Sequence, residues 1–113
     1  MTRELKFRAW DGIGNYGMQY YDSIEELVVY FSPHKFQEVM QYTGLKDKTG
    51  KEIYEGDLLG VKSFSFLHML VVIYDNEKAG FRLGCDFASI YEAVDFYSLE
   101  VIGNIHENPE LID

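Results

Sequence analysis

The chain has 113 residues, 47% of them hydrophobic and 16% aromatic, and a formal net charge of −9. This is the size of one domain with a core of its own, and the composition excludes a disordered chain. The acidic balance argues against DNA or RNA as the main partner, and a single cysteine, Cys85, excludes an internal disulfide and points to a reducing compartment.

The charge is unevenly spread: residues 1–10 carry +2, 11–34 carry −4, 35–62 balance, and 75–113 carry −7. The opening MTRELKFRAWDG lacks the apolar core of a signal peptide. The longest apolar stretch, residues 66–74, is about half of what a bilayer requires and contains His68. A soluble, cytoplasmic protein with no membrane partner is expected.

Along the chain, Leu5, Phe7 and Ala9 alternate with Lys6, Arg8 and Trp10, the period of a half-buried strand that sends the second set outward. Asp11 to Asn15 are turn-forming and residues 16–21 return, giving an N-terminal hairpin. Ser23 and Glu26 have capping-box spacing, and Ile24, Leu27, Val28 and Phe31 follow at helical spacing. A short helix over 24–31 is expected, although the β-branched pair Val28 and Val29 leaves a strand open; Pro33 ends either.

Extended segments follow at 36–45, 52–54, 58–62, 67–74 and 81–83, separated by polar turns at 47–50, 55–57 and 75–80. The nearly continuous apolar run at 67–74 reads as central. Asp86 precedes Phe87, Ile90, Tyr91 and Val94, spaced as one helical face. Residues 99–102 begin a last strand, and Asn108-Pro109 opens a final helical turn. The expected fold is mainly β, in one domain over 1–113. It is a small twisted antiparallel sheet or barrel-like core, closed or nearly so, with an N-terminal hairpin and two or three short helices. Leu70, Val72 and Phe81 are core candidates.

Three blocks carry a family likeness: ELKFRAWD at 4–11, MQYTGLKDKTGKEIYEGD at 40–57, and EVIGNIHENPEL at 100–111. They resemble the YopX family of phage and prophage proteins of Gram-positive bacteria. Residues 24–36 and 63–98 match no motif. The resemblance implies a mainly β fold and a phage or prophage setting, and brings no biochemical activity with it.

The chemistry-bearing residues give few sites. At Glu55-Gly56-Asp57 a turn lets a strand enter the sheet, with Asp57 accepting backbone N–H groups rather than holding a cation. Tyr42 and Thr43 read as cross-strand residues beside a bulge at Gly44, or as contacts for a partner. Lys46, Asp47 and Lys48 are loop charges with no core role, in the kind of loop that carries recognition. Asn104 and His106 can be presented together with Glu107, while Asn104 and Asn108 can equally satisfy backbone groups and cap the last turn. The candidate partner-binding set is therefore Tyr42, Thr43, Lys46, Asp47, Lys48, Asn104 and His106.

His34, His68 and His106 lie far apart without metal-ligand spacing, and His68 reads as a packed strand residue. Cys85 reads as a small buried thiol, and Gly12-Ile13-Gly14 lacks the third glycine of a dinucleotide loop. No catalytic, cofactor or metal residue is expected. The first expectation is a non-enzymatic accessory protein that binds another protein or itself, with a homo-oligomer favoured. The alternative is a nucleic-acid-associated small barrel, with Lys6, Arg8 and Trp10 meeting a single strand.

Overall fold

The N-terminal alternation folds into the expected hairpin: β1 (Phe7–Asp11) pairs antiparallel with β2 (Gly17–Tyr21), from Phe7↔Tyr21 to Asp11↔Gly17. In the computed structural model the described residues are 4–11, 17–30, 38–60, 70–77, 79–83 and 99–111. The other edge of β1 takes the first half of β3 (Glu38–Lys46), from Phe7↔Gln41 to Trp10↔Glu38. The second half of β3 pairs with β4 (Glu52–Tyr54), through a register shift between Tyr42 and Lys46. Gly44 sits inside that shift at φ +91°, a backbone state glycine adopts without steric cost, so the expected bulge is present.

The second sheet runs β7-β6-β5-β8, built from β5 (Asp57–Gly60), β6 (Leu70–Asp75), β7 (Gly80–Leu83) and β8 (Glu100–Asn104). The core lies between the sheets. Ile53 of β4 packs with Leu59, Val72, Phe81 and Leu99, and Leu45 and Val101 close over them. Val72 and Phe81 are buried as expected.

The segment whose sequence left helix and strand open is a helix, α1 (Ile24–Tyr30). The capping residues decide it. Ser23 Oγ accepts the Glu26 N–H at 3.1 Å, and Glu26 Oε2 accepts the Asp22 N–H at 2.8 Å.

The structure corrects the sequence reading in two respects. Among the described residues there are two four-stranded sheets, order β2-β1-β3-β4 and β7-β6-β5-β8, where one sheet was expected. The described parts of the segments expected at 58–62, 67–74 and 99–102 lie in the second sheet, as β5, β6 and β8. The chain leaves the first at Glu55-Gly56, where Gly56 takes φ +89° and a Cβ would lie 3.1 Å from Met40 Sδ. Glycine takes that φ without steric cost, and the chain reverses there between β4 and β5. Second, among the described residues there is one α-helix where two or three short helices were expected. Residues Pro109–Leu111 form a single 3-10 turn. Asn108 satisfies a backbone group beside this turn, as expected: its Oδ1 accepts the Asn104 N–H at 3.1 Å. The expected helix at 86–94, His34, His68, Cys85 and Gly12 to Gly14 lie outside the described residues. Among those described, no helix is long and apolar enough to cross a membrane.

Candidate functional site: a polar seam and an exposed apolar helix

β1 is an inner strand of the first sheet, and one of its faces looks across at the second. Arg8 lies on that face and is 2% exposed, which overturns the expected outward row of Lys6, Arg8 and Trp10. A guanidinium cannot be buried there without a counter-ion, and the residue that opens β5 supplies it. Arg8 Nη2 lies 2.8 Å from Asp57 Oδ1 and donates to the Glu55 carbonyl at 3.0 Å. The guanidinium sits 4.9 Å above the Tyr54 ring. Asp57 Oδ2 accepts the Tyr54 N–H at 2.7 Å, the backbone role expected for it. Burial pushes the Asp57 carboxyl above its ordinary range, with the Arg8 charge and the Tyr54 N–H pulling back. Burial also pushes the Tyr54 hydroxyl up to about 12.

Lys6, just before β1, and Trp10 on it are engaged as well. Lys6 bridges Glu52 at 2.6 Å and Glu4 at 3.1 Å, which holds its ammonium charged far above neutral pH. Trp10 stacks on His106, rings 5.4 Å apart and 16° from parallel, and His106 Nε2 contacts Glu38.

The sequence candidates separate by burial. Tyr42 is buried against Tyr54, and the buried Thr43 hydroxyl donates to the Ile53 carbonyl at 2.8 Å. Asp47, expected to have no core role, is buried and joins the two sheets. Its Oδ1 accepts from Thr49 N at 2.8 Å, the Thr49 hydroxyl at 2.6 Å and Lys51 N at 2.9 Å, while Oδ2 accepts from Val101 N of β8 at 2.9 Å. Burial pushes this carboxyl up, but the four hydrogen bonds outweigh it and hold it below 3.8. Asn104 is buried: its Oδ1 accepts from His106 N at 3.0 Å and Glu107 N at 2.8 Å, and its Nδ2 donates to Glu107 Oε1 at 2.7 Å. Lys46 and Lys48 stay exposed, with Lys48 Nζ 3.6 Å from Glu100. Asn104 and His106 are thus brought together, and Asp47 and Lys48 both reach β8.

The outward N–H groups of Val101 and Asn104 on edge strand β8 are occupied by Asp47 and Asn108. That closes much of an edge that would otherwise invite another strand. Beside it lies a polar cleft of about 220 Å³, whose lining includes Arg8, Lys51, Asp57, Asn104, Glu107 and Asn108.

The helix α1 presents the opposite surface. No residue of it is buried. Val28 is 75% exposed, Val29 70%, Tyr30 71% and Ile24 48%. Asp22, Glu25 and Glu26 border the patch, and residues 17–30 contain no cation. The sequence reading missed both this surface and the Arg8–Asp57 pair. The helix is legible from its spacing, but spacing does not say whether anything covers its apolar face.

The family model described as YopX protein matches residues 14–113. The chain belongs to the YopX family. Two of the three blocks that carried the likeness fall inside the matched span, and they supply Tyr42, Thr43, Asp47, Asp57, Asn104 and Asn108 to the seam of this YopX chain. The structure is similar to the crystal structure of protein EF1440 from Enterococcus faecalis, with a TM-score of 0.65 and 25% identity over 99% of this chain and 100% of that one. No curated protein matches the sequence.

Proposed function

We propose that this YopX-family chain is a non-enzymatic accessory protein of a phage or prophage, working in the cytoplasm of the bacterial host, that acts by binding another protein through α1. The observation that carries this reading is the exposure of Ile24, Val28, Val29 and Tyr30 on a helix with no buried residue. Isolated exposed apolar side chains are ordinary, but several on one short helix, with the aromatic Tyr30 among them, mark a contact surface. Supporting it, Tyr42, Thr43, Asp47 and Asn104 spend their polar groups or their surface inside the protein.

The acidic border selects the partner's chemistry. Asp22, Glu25 and Glu26 complement an apolar surface edged with Lys or Arg. A second copy of the chain would bring like charges together at the same border, so the homo-oligomer is the second reading. For the nucleic-acid alternative, Arg8 is no longer an available cation and Lys6 is committed to Glu4 and Glu52.

Affinity capture from prophage-induced cells, with and without nuclease, tests this reading. The bait is the wild-type chain beside a Val28→Ser/Val29→Ser/Tyr30→Ser variant. The same protein should be captured with and without nuclease, and lost with the variant. Capture that nuclease abolishes, or that the variant retains, contradicts the reading.

A further inference from the structure

The outermost strands of the two sheets are not equally protected. β8 has the N–H groups of Val101 and Asn104 occupied, β4 is only Glu52–Tyr54, and β7 carries Arg82, paired with Asp75. β2 runs from Gly17 to Tyr21 without a charge, a proline or a bulge. The hydrogen bonds show which of its backbone groups face out. Tyr42 N of β3 donates to the Lys6 carbonyl at 2.9 Å, next to the Phe7↔Gln41 pair. Backbone groups alternate sides along a strand, so Arg8 and Trp10 turn theirs to β3, and Phe7, Ala9 and Asp11 turn theirs to β2. Their partners Tyr21, Gln19 and Gly17 face inward, and the N–H and C=O groups of Met18 and Tyr20 point out of the sheet. Among the described residues nothing receives them. The next outward N–H, that of Asp22, is taken by Glu26 Oε2 at 2.8 Å, which ends the open row at the start of α1.

We propose that this edge pairs with β2 of a second copy of the chain, antiparallel about a two-fold axis at Gln19, so that the first sheets of the two copies become one. This register sets Met18 opposite Tyr20 of the second copy and Tyr20 opposite its Met18, each pair exchanging both backbone hydrogen bonds. An axis at Tyr20 would instead set Met18 against Asp22, whose N–H is already taken, and make fewer bonds. The side chains fit the same register. Met18 and Tyr20 share a face; Tyr20 is 52% exposed and held edge-on against Tyr54, and a thioether packs well beside an aromatic ring. The charges select a second copy too. β2 itself is neutral, and the antiparallel register places the two Asp22 residues about 20 Å apart along the strands, well beyond the screening length of about 8 Å at physiological salt. The like-charge clash that a second copy would meet on α1 is absent here. This inference concerns a different surface from the α1 reading and does not depend on it.

The test is sedimentation equilibrium of the whole chain, with circular dichroism on the same samples. Two short strands make a small interface, so the dimer should be weak, with a dissociation constant on the order of 100 µM. Gln19→Lys sets two like charges opposite each other on the axis and should weaken the dimer about fivefold or more with the fold intact, lysine being well tolerated on edge strands. The Val28→Ser/Val29→Ser/Tyr30→Ser chain should dimerise like the wild type. In a Cys85→Ala background, Gln19→Cys should form a disulfide between copies on oxidation, because self-opposed residues at a non-hydrogen-bonded position have Cα atoms about 4.5 Å apart. Met18→Cys should not, because its two copies lie on the diagonal, about 8 Å apart. A chain that stays monomeric at about 0.5 mM, well above the expected constant, overturns the proposal. So does a dimer that Gln19→Lys leaves unchanged or that the α1 variant abolishes, since either places the contact elsewhere. Cross-linking through position 18 rather than 19 overturns the register.

Discussion

Arg8 and Val28 sit at opposite extremes of exposure, and each is out of place by its chemistry: the cation is 2% exposed and the aliphatic residue 75%. The misplaced charge is compensated, since Asp57, Glu55 and Tyr54 surround it. The misplaced apolar residue is not, and its neighbours Val29 and Tyr30 repeat the exposure. A polar group buried with its partners explains itself as part of the fold, whereas a bare apolar group asks for something outside. On this comparison the seam joins the two sheets, and α1 is the surface proposed to act.

The largest expected effect breaks the seam. Asp57→Ala leaves Arg8 buried without its counter-ion and should cost about 3–5 kcal/mol in urea unfolding. The double variant Arg8→Met/Asp57→Leu removes both charges and should recover most of that loss. A cost below 1 kcal/mol for Asp57→Ala, on the order of a surface pair, would show that the pair does not hold the sheets.

The next effect is steric. A Cβ on Gly103 would stand 2.6 Å from Asn108 Oδ1, the atom that serves Asn104 N. Gly103→Ala should cost about 1–3 kcal/mol. The same change in an Asn108→Ala background should cost less, and equal costs in the two backgrounds would mean that this contact is not the cause.

A smaller effect is read through pH. The Asp47 carboxyl is held below its ordinary value of 3.8, so its contribution is present above 3.8 and is lost as pH falls through the lower folded value. Asp57 has the opposite sign. Its carboxyl is raised, so its contribution is present below 3.8 and is lost as pH rises through the folded value. Asp47→Asn should therefore cost about 1–3 kcal/mol at neutral pH and flatten the loss of stability below 3.8. An acid limb as steep as that of the wild type would remove Asp47 from the account.

The smallest effect sharpens the other side of the comparison. Val28→Ser and Val29→Ser lie on a helix without buried residues and should each change unfolding free energy by no more than about 0.5 kcal/mol. A loss of 2 kcal/mol or more, the size of a core truncation, would mean that the patch is covered within the protein.

Much of the fold was legible in the sequence. The hairpin followed from the alternation at Leu5 to Trp10, α1 from the Ser23–Glu26 box, and the bulge from Gly44. The division into two sheets was not legible, because a turn at 55–57 does not say whether the strands it joins pair with each other, and β4 and β5 do not. Arg8 was misread because alternation assigns residues to two faces without saying that a second sheet covers the polar one. Asp47 was misread because its closing hydrogen bond goes to Val101, 54 residues away. The family-like blocks supply most of the seam, while α1 falls in the stretch that matched no motif. The likeness therefore pointed toward the fold and away from the surface proposed to act.

The most direct test of the central claim is a binding titration of the captured partner, once purified, against the wild-type chain and the Val28→Ser/Val29→Ser/Tyr30→Ser variant. Melting temperatures are recorded on the same samples. The account predicts affinity lower by about tenfold or more for the variant, with its melting temperature within a few degrees of the wild type. Equal affinity for the two chains, with both folded, would contradict it.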